Sequence, residues 1–307
     1  MDDEELKQFV SVHVKKGKWQ VVMLFFDVLL QRRGVSEVER NDKEKALTLF
    51  WWPADEDEDL EVLRKIQTDS DYRIYGLDLI DITDKGVKHI AEALLHGNWK
   101  LNSLNLSCDD LTNQTVQHLA KALSSSDCEL SSLDLSWCDL SDEKVNHLAE
   151  GLLDSNCKLI SLNLGQAFQI TSEGVEQIAK VLNVCQVHSL NLSQSNITDE
   201  GVKYLAEALK HSNCKLTSLN LSGCELKDEG VEHLAEALEH SNCKLTSLNI
   251  SDNYEITDEG VKRLAEALKH SNCEFNSINI SENRRITDDG VRHLAEALVH
   301  SNCKLYR

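Results

Sequence analysis

The pattern Leu-x-x-Leu-x-Leu begins at Leu101, Leu130, Leu159, Val187, Leu216, Leu245 and Phe275, with a looser first copy at Ile74-x-x-Leu77-x-Leu79 and a further start at Leu305. Successive starts lie 27 to 30 residues apart. A fixed period of this size marks a chain that stacks equivalent units, none of which can bury its own apolar face. The extra residues of the longer copies fall in "SDNYEIT" and "SENRRIT", just after the short apolar segment. Loops absorb the insertions, and the elements between them do not.

Within one copy, "KLTSLNLS" alternates apolar and polar residues as a short, half-buried strand does. "DEGVEHLAEALEHSN" then changes period: Val231, Leu234, Ala235 and Leu238 fall at i, i+3, i+4 and i+7, one stripe of a helix. Thr198, Thr257 and Thr287 stand where a helix cap belongs, followed by acidic pairs such as Asp199-Glu200 that suit a helix N-terminus. Much of the acidity is therefore structural. The expectation is an α/β horseshoe with parallel strands inside and helices outside.

The unit "CKLTSLNLSGCELKDEGVEHLAEALEHSN" resembles a leucine-rich repeat of the ribonuclease-inhibitor type, with a long helix and with Cys or Asn at the turn after the strand (Cys138, Cys224, Asn253, Asn283). The resemblance implies about eight repeats over residues 71–307 and a role in binding other proteins.

Residues 1–70 lack the repeat. Apolar residues in "LKQFVSVHV", "KWQVVMLFFDVLLQ", "KALTLFWW" and "EDLEVLRKIQ" read as helices, which would cover the open apolar end of the first repeat as an N-terminal cap. The order of these segments also resembles the second helical domain that precedes the repeats in NOD-like receptors. No Gly-x-x-x-x-Gly-Lys-Ser/Thr occurs, so the phosphate-cradling loop of such a receptor is not in this sequence. That resemblance implies the ligand-sensing or autoinhibitory repeat region of an innate immune receptor, or a related adaptor.

His-x-x-Cys occurs at His211/Cys214, His240/Cys243, His270/Cys273 and His300/Cys303, a spacing that zinc sites use. Register points elsewhere. Cys128, Cys157, Cys185, Cys214, Cys243, Cys273 and Cys303 all precede the first apolar position of a copy by two residues, whereas the earlier copies keep the Cys without the His. These cysteines form a structural ladder of buried, reduced thiols, and no metal or other cofactor is expected. An enzyme would need a position that breaks the repeat. His188, the one histidine on a strand, has no nucleophile beside it beyond the serines common to every copy, and no catalytic residue is assigned.

A partner protein would meet two sets of residues. The polar strand positions, such as Asn191, Asn220 and Asn249 with Asp134 and His188, form a hydrogen-bonding surface. Trp137, Phe168, Tyr254, Arg284 and Arg285, types enriched at interface hot spots, stand in the loops after the strands, where the copies differ most. The alternative for Phe168 and Tyr254 is that they fold inward to fill loops one residue longer than the rest.

Asp and Glu outnumber Lys and Arg by 52 to 32, a net charge of -20, which makes a nucleic acid a poor partner and a basic protein an easier one. An acidic inhibitor or regulator of a basic enzyme, or of a small GTPase, is thus the alternative to a sensor. The acidic start "MDDEELKQ" is unlike a secretory signal, and "VVMLFFDVLL" is too short and too interrupted to span a membrane. Five Asn-x-Ser sequons inside the strand units, at Asn105, Asn191, Asn220, Asn249 and Asn279, would crowd one sheet face with glycans. Both points favour the cytoplasm. "CKLYR" at the end begins a strand with no polar capping repeat, an open edge that suggests self-association.

Overall fold

The computed structural model describes residues 38–41, 46–53, 73–80, 82–106, 111–270, 275–299 and 303–307. Among them is one 11-stranded sheet whose strands follow chain order. It comprises β1 (Val38–Asn41), β2 (Ala46–Pro53), β3 (Arg73–Ile80), β4 (Ser103–Leu106), β5 (Ser132–Asp134), β6 (Ser161–Asn163), β7 (Ser189–Asn191), β8 (Ser218–Asn220), β9 (Ser247–Asn249), β10 (Ser277–Asn279) and β11 (Lys304–Tyr306). β1 and β2 pair antiparallel, and every later pairing is parallel. Helices alternate with the strands from β3 onward: α1 (Asp84–Leu95), α2 (Asn113–Leu123), α3 (Asp142–Leu152), α4 (Ser172–Leu182), α5 (Asp199–Leu209), α6 (Asp228–Glu239), α7 (Asp258–His270) and α8 (Asp288–Ala297). Each helix packs on the next one in the chain. No described helix is long and apolar enough to cross a membrane.

The core lies between the strand and helix layers and runs continuously from Ile74 to Leu294. Leu216, Leu219 and Leu221 from one strand segment and Val231, Leu234, Ala235 and Leu238 from the helix after it are all buried. The two periods therefore converge on one interior, as the sequence implies.

Polar contacts between coils set the spacing. The first-turn aspartate of one helix reaches across to the N-terminus of the next. Asp228 Oδ1 accepts from Thr257 N at 2.8 Å, and Thr257 Oγ1 donates to Asp228 Oδ2 at 2.6 Å. Asp142 with Thr171 and Asp258 with Thr287 repeat this pair. Asp199 serves Lys227 N and Gly230 N. These carboxylates satisfy amide donors that the helix itself leaves open. The same contact accounts for the glycine in the first turn of these helices: a Cβ on Gly260 would stand 2.5 Å from Asp228 Oδ1, and one on Gly290 2.3 Å from Asp258 Oδ1.

Thr198 departs from the expected cap. Its hydroxyl accepts no helix amide and lies 3.0 Å from Ser172 Oγ, because α4 begins with serine and offers no carboxylate to the coil after it.

On the strand side, the turn position after each strand ties two coils together. Asn253 Nδ2 donates to Leu221 O at 2.9 Å and Ile250 O at 3.0 Å, and Asn283 Nδ2 does the same to the carbonyls of Ile250 and Ile280. Cys138 and Cys224 stand at the same position, their thiols donating to Leu106 O at 3.3 Å and Leu192 O at 3.1 Å. Burial pushes the Cys224 thiol up to about 11, so it stays protonated and unreactive at neutral pH.

The cysteine ladder is buried at Cys128, Cys157, Cys185, Cys214 and Cys243. Burial raises the thiols of Cys128 and Cys214, and hydrogen bonding with Cys157 together with burial raises that of Cys185. Cys273 lies outside the described residues. Cys303 leaves the ladder and is only half-buried. The cause is register: Leu305 pairs with Ile278 rather than Phe275, so the last strand enters the sheet further along its repeat unit than Leu305 as a first apolar position would have it.

"KALTLFWW" corrects a second expectation. Read as helical, its residues from Ala46 on belong to β2, which hydrogen-bonds along β3. Its β-branched and aromatic content suits a strand, and the first repeat strand offers an unpaired edge that a helix could not satisfy. The other helices expected in residues 1–70, "VVMLFFDVLL" among them, fall outside the described residues.

Two tests follow from this packing. Asp228→Ala should lower unfolding free energy by about 1 kcal/mol. Gly260→Ala should also destabilise, and the double variant should lose less than the sum because removing the carboxylate makes room for the methyl; urea unfolding of the three proteins measures this.

The Thr287 hydroxyl holds the Asp258 carboxyl below its usual value against the opposing effect of burial. At Asp84 burial opposes ionisation, but hydrogen bonds from Thr112 and Thr115 outweigh it. A lowered folded pKa gives stability that is complete above the unfolded value, about 4, and is lost as pH falls through the folded one. Asp258→Asn should therefore flatten the acid limb of stability between about pH 4 and pH 2, and an unchanged limb would exclude this linkage.

Native-state alkylation followed by peptide mass spectrometry should label Cys303 well before Cys128, Cys157, Cys185, Cys214 or Cys243. Prompt labelling of Cys214 would refute the ladder.

Candidate protein-docking site

The residue after the last polar strand position adopts a left-handed backbone in copy after copy: Trp137 (φ 63°), Gln166 (61°), Gln194 (54°), Gly223 (66°), Asp252 (58°) and Glu282 (59°). At the first five of these positions the amide donates to a carbonyl of the next coil, as from Gln194 N to Ser222 O at 2.7 Å and from Asp252 N to Ser281 O at 3.0 Å. Side chains other than glycine pay a steric cost in this region, and a bulky aromatic is rare there. Trp137 bears that cost and remains 60% exposed.

Phe168 and Tyr254 are 59% and 50% exposed. They do not fold inward. Their longer loops are filled instead by backbone turns and by buried neighbours, Ile170 beside Phe168 and Ile256 beside Tyr254. Trp137, Phe168 and Tyr254 thus stand exposed on the loops that leave the C-terminal ends of the strands, apart from the exposed Tyr75 and Tyr306, which lie on strands.

Between the loops after β6 and β9 runs a groove of about 560 Å³, lined by Phe168, Tyr254, Gln194, Ser195, Glu225 and Asp252 among others. Ser195 is 2% exposed, and among the described residues its hydroxyl has no hydrogen-bond partner. It occupies the turn position where Cys224 and Asn253 bond to the preceding coil, and its shorter side chain makes no such bond. Arg284 stacks over the Tyr254 ring, 4.9 Å from its centroid, and Arg285 Nη1 lies 2.7 Å from Glu255 Oε2. Both arginines are exposed but already engaged by the adjacent loop.

The polar strand positions have structural partners as well. Asn191, Asn220 and Asn249 each accept through Oδ1 from the amide two residues on, at 3.0 to 3.1 Å, closing the end of the strand. Asp134 accepts from Ser136 N and from Asn163 Nδ2 at 2.7 Å. His188 stands one residue ahead of β7 rather than within it, its Nδ1–H donating to Gln186 O at 2.6 Å. The ring nitrogens of His211 and His240 accept from the amides of Asn213 and Asn242, so each histidine shapes a turn while the nearby cysteine is buried.

The candidates therefore separate into two groups. Trp137 and Phe168 offer free apolar surface and Tyr254 a half-exposed ring with Arg284 stacked on it, while Asp134, His188, the asparagines and the arginines are bound into the scaffold. Ser195, Glu225, Asp252 and Glu255 did not figure among the sequence candidates. Reading the turn position as a column, Cys138, Ala167, Ser195, Cys224, Asn253, Asn283, would have singled out Ser195 as its one hydroxyl.

Residues 127–143, 186–206, 212–235 and 241–265 match a family described as Leucine Rich repeat. The fold is a leucine-rich repeat solenoid. A chain in "Crystal structure of Rad7 and Elc1 complex in yeast" is 18% identical with a TM-score of 0.50, the match covering 77% of this chain and 64% of that one. The chain thus spans less than two thirds of that protein's length, and the likeness is one of fold. A structure titled "Leiomodin-1 Actin-Binding Site 2 (ABS2)" is 18% identical with a TM-score of 0.41, over 49% of this chain and 85% of the other. No curated protein matches the sequence.

Trp137→Gly should leave the unfolding free energy within about 0.5 kcal/mol of the parent or raise it, since glycine relieves the left-handed strain. A loss well beyond that, by urea unfolding, would place Trp137 among the packing residues.

Proposed function

We propose that this chain is a non-catalytic protein-recognition module that docks partners on the loops following its strands. The observation carrying this reading is the set of three exposed aromatics, Trp137, Phe168 and Tyr254, on a single loop edge, one of them held in a strained backbone conformation. Large rigid side chains of this kind anchor interfaces, and a strained, exposed tryptophan has no packing benefit of its own to offset its cost. Within this reading the chain is the ligand-sensing or autoinhibitory repeat region of a NOD-like receptor, or a related cytosolic adaptor.

The photo-reactive residue benzoylphenylalanine placed at Trp137 or Tyr254 should give cross-linked protein adducts of defined mass in cells, while the same residue at Glu232 on the outer helix layer should give none. Equal yields at all three positions would overturn the proposal. The receptor assignment is tested separately by the genomic sequence upstream: a phosphate-binding loop in the same reading frame supports it.

The net charge of -20 favours a second reading, an acidic inhibitor or regulator of a basic enzyme. Affinity for the cross-linked partner would then fall steeply with added salt, whereas aromatic docking would be nearly insensitive to it.

A further inference from the structure

We propose that the groove between Phe168 and Tyr254 is a receptor for an arginine side chain presented by an extended basic segment of a partner protein. The inference rests on the docking reading above and names the chemistry that the groove selects. Four observations support it.

Two aromatic side chains, Phe168 and Tyr254, line one groove of about 560 Å³. Its remaining charged lining residues are Glu225, Asp252 and Glu255 against a single lysine, Lys227. Among the described residues neither Glu225 nor Asp252 has an ion-pair partner, in a chain that is already strongly acidic. A flat cation with an apolar face suits such a lining better than a neutral or anionic group.

The chain itself demonstrates the recognition chemistry beside the groove. Arg284 lies over the Tyr254 ring and Arg285 pairs with Glu255, so guanidinium stacking and carboxylate pairing already operate on two of the lining residues. A guanidinium is weakly hydrated, planar and rich in donors, and it stacks and pairs at once where an ammonium does not.

Ser195 supplies the fourth observation. Its hydroxyl is buried in the groove wall and unpartnered, and a buried hydroxyl without a hydrogen bond is costly. Rotation of the Ser195 side chain toward the groove would let a guanidinium N–H donate to Oγ and relieve that cost, while the carboxylates of Glu225 and Asp252 select arginine over a neutral donor of the same length. The groove is therefore apolar on its rims, acidic along its length and holds one unpartnered hydroxyl in its wall.

The test uses the full chain labelled with ¹⁵N and titrated with the peptide Ac-Gly-Arg-Gly-NH₂, with its citrulline counterpart as the uncharged isostere. The arginine peptide should shift the amides of residues 194–196, 223–225 and 252–255, and the citrulline peptide should bind at least about tenfold more weakly. Tyr254→Leu and Ser195→Ala should each reduce affinity for the arginine peptide several-fold, while Glu232→Gln on the outer helix face should not. Unchanged thermal midpoints of these variants exclude unfolding as the cause.

Equal binding of the two peptides, shifts spread over the acidic surface, or full affinity in Tyr254→Leu would each overturn the proposal. A partner protein whose cross-linking from Trp137 is undiminished by excess arginine peptide present during irradiation would also sink it while leaving the docking reading intact.

Discussion

No coil of this protein can bury its own apolar surface, and every other feature depends on how one coil is held against the next. Leucines from the strand and a leucine–alanine stripe from the helix form half an interior each, and the neighbouring coils complete it. Burial is non-directional and would tolerate coils that slide. The directional part comes from side chains that cross between coils: the first-turn aspartate that caps the next helix, and the asparagine or cysteine that reaches the preceding strand's carbonyl. These contacts fix the two edges of each coil separately. They leave the loop between strand and helix as the part of the unit with freedom to vary.

That freedom is bounded by a backbone requirement. The left-handed residue after the strand recurs whichever side chain it carries, and at five of the six positions its amide is bonded to the next coil. Only one of the six positions uses glycine, the residue that meets the requirement without strain. The others carry tryptophan, glutamine, aspartate or glutamate, so the scaffold tolerates a small local penalty to hold a long side chain at a fixed angle on its rim. The groove has the same origin. It opens where a turn residue too short to complete the inter-coil bond, Ser195, stands between loops that carry Phe168 and Tyr254.

Much of the scaffold was legible in the sequence because periodicity is a direct record of burial. The 29-residue step, the strand and helix within it, and the cysteine ladder all follow from which positions repeat as apolar. The partial failures share a different cause. The apolar pattern of "KALTLFWW" suggests a helix, yet its state is decided by the free edge of β3 beside it. Leu305 matches the repeat in spacing yet pairs with Ile278, its strand joined to the preceding coil by the hydrogen bond from Lys304 N to Asn276 O. Thr198 has the right residue at the cap and lacks the partner, which a serine in the preceding coil removed. In each case a local signal was overruled by a group some 30 residues away.

The candidate site divides along the same line. The sequence alone determined that Trp137, Phe168, Tyr254, Arg284 and Arg285 belong to the variable loops, since that follows from counting along the repeat. Only the tertiary structure decided which of them are available: the three aromatics stand in solvent, while the arginines are held by Tyr254 and Glu255. It alone also brought Ser195, Glu225 and Asp252 to one groove. The physical reason is that periodicity reports which residues a coil must bury, whereas exposure, pairing and pocket shape arise between coils, from contacts that no single copy of the repeat contains.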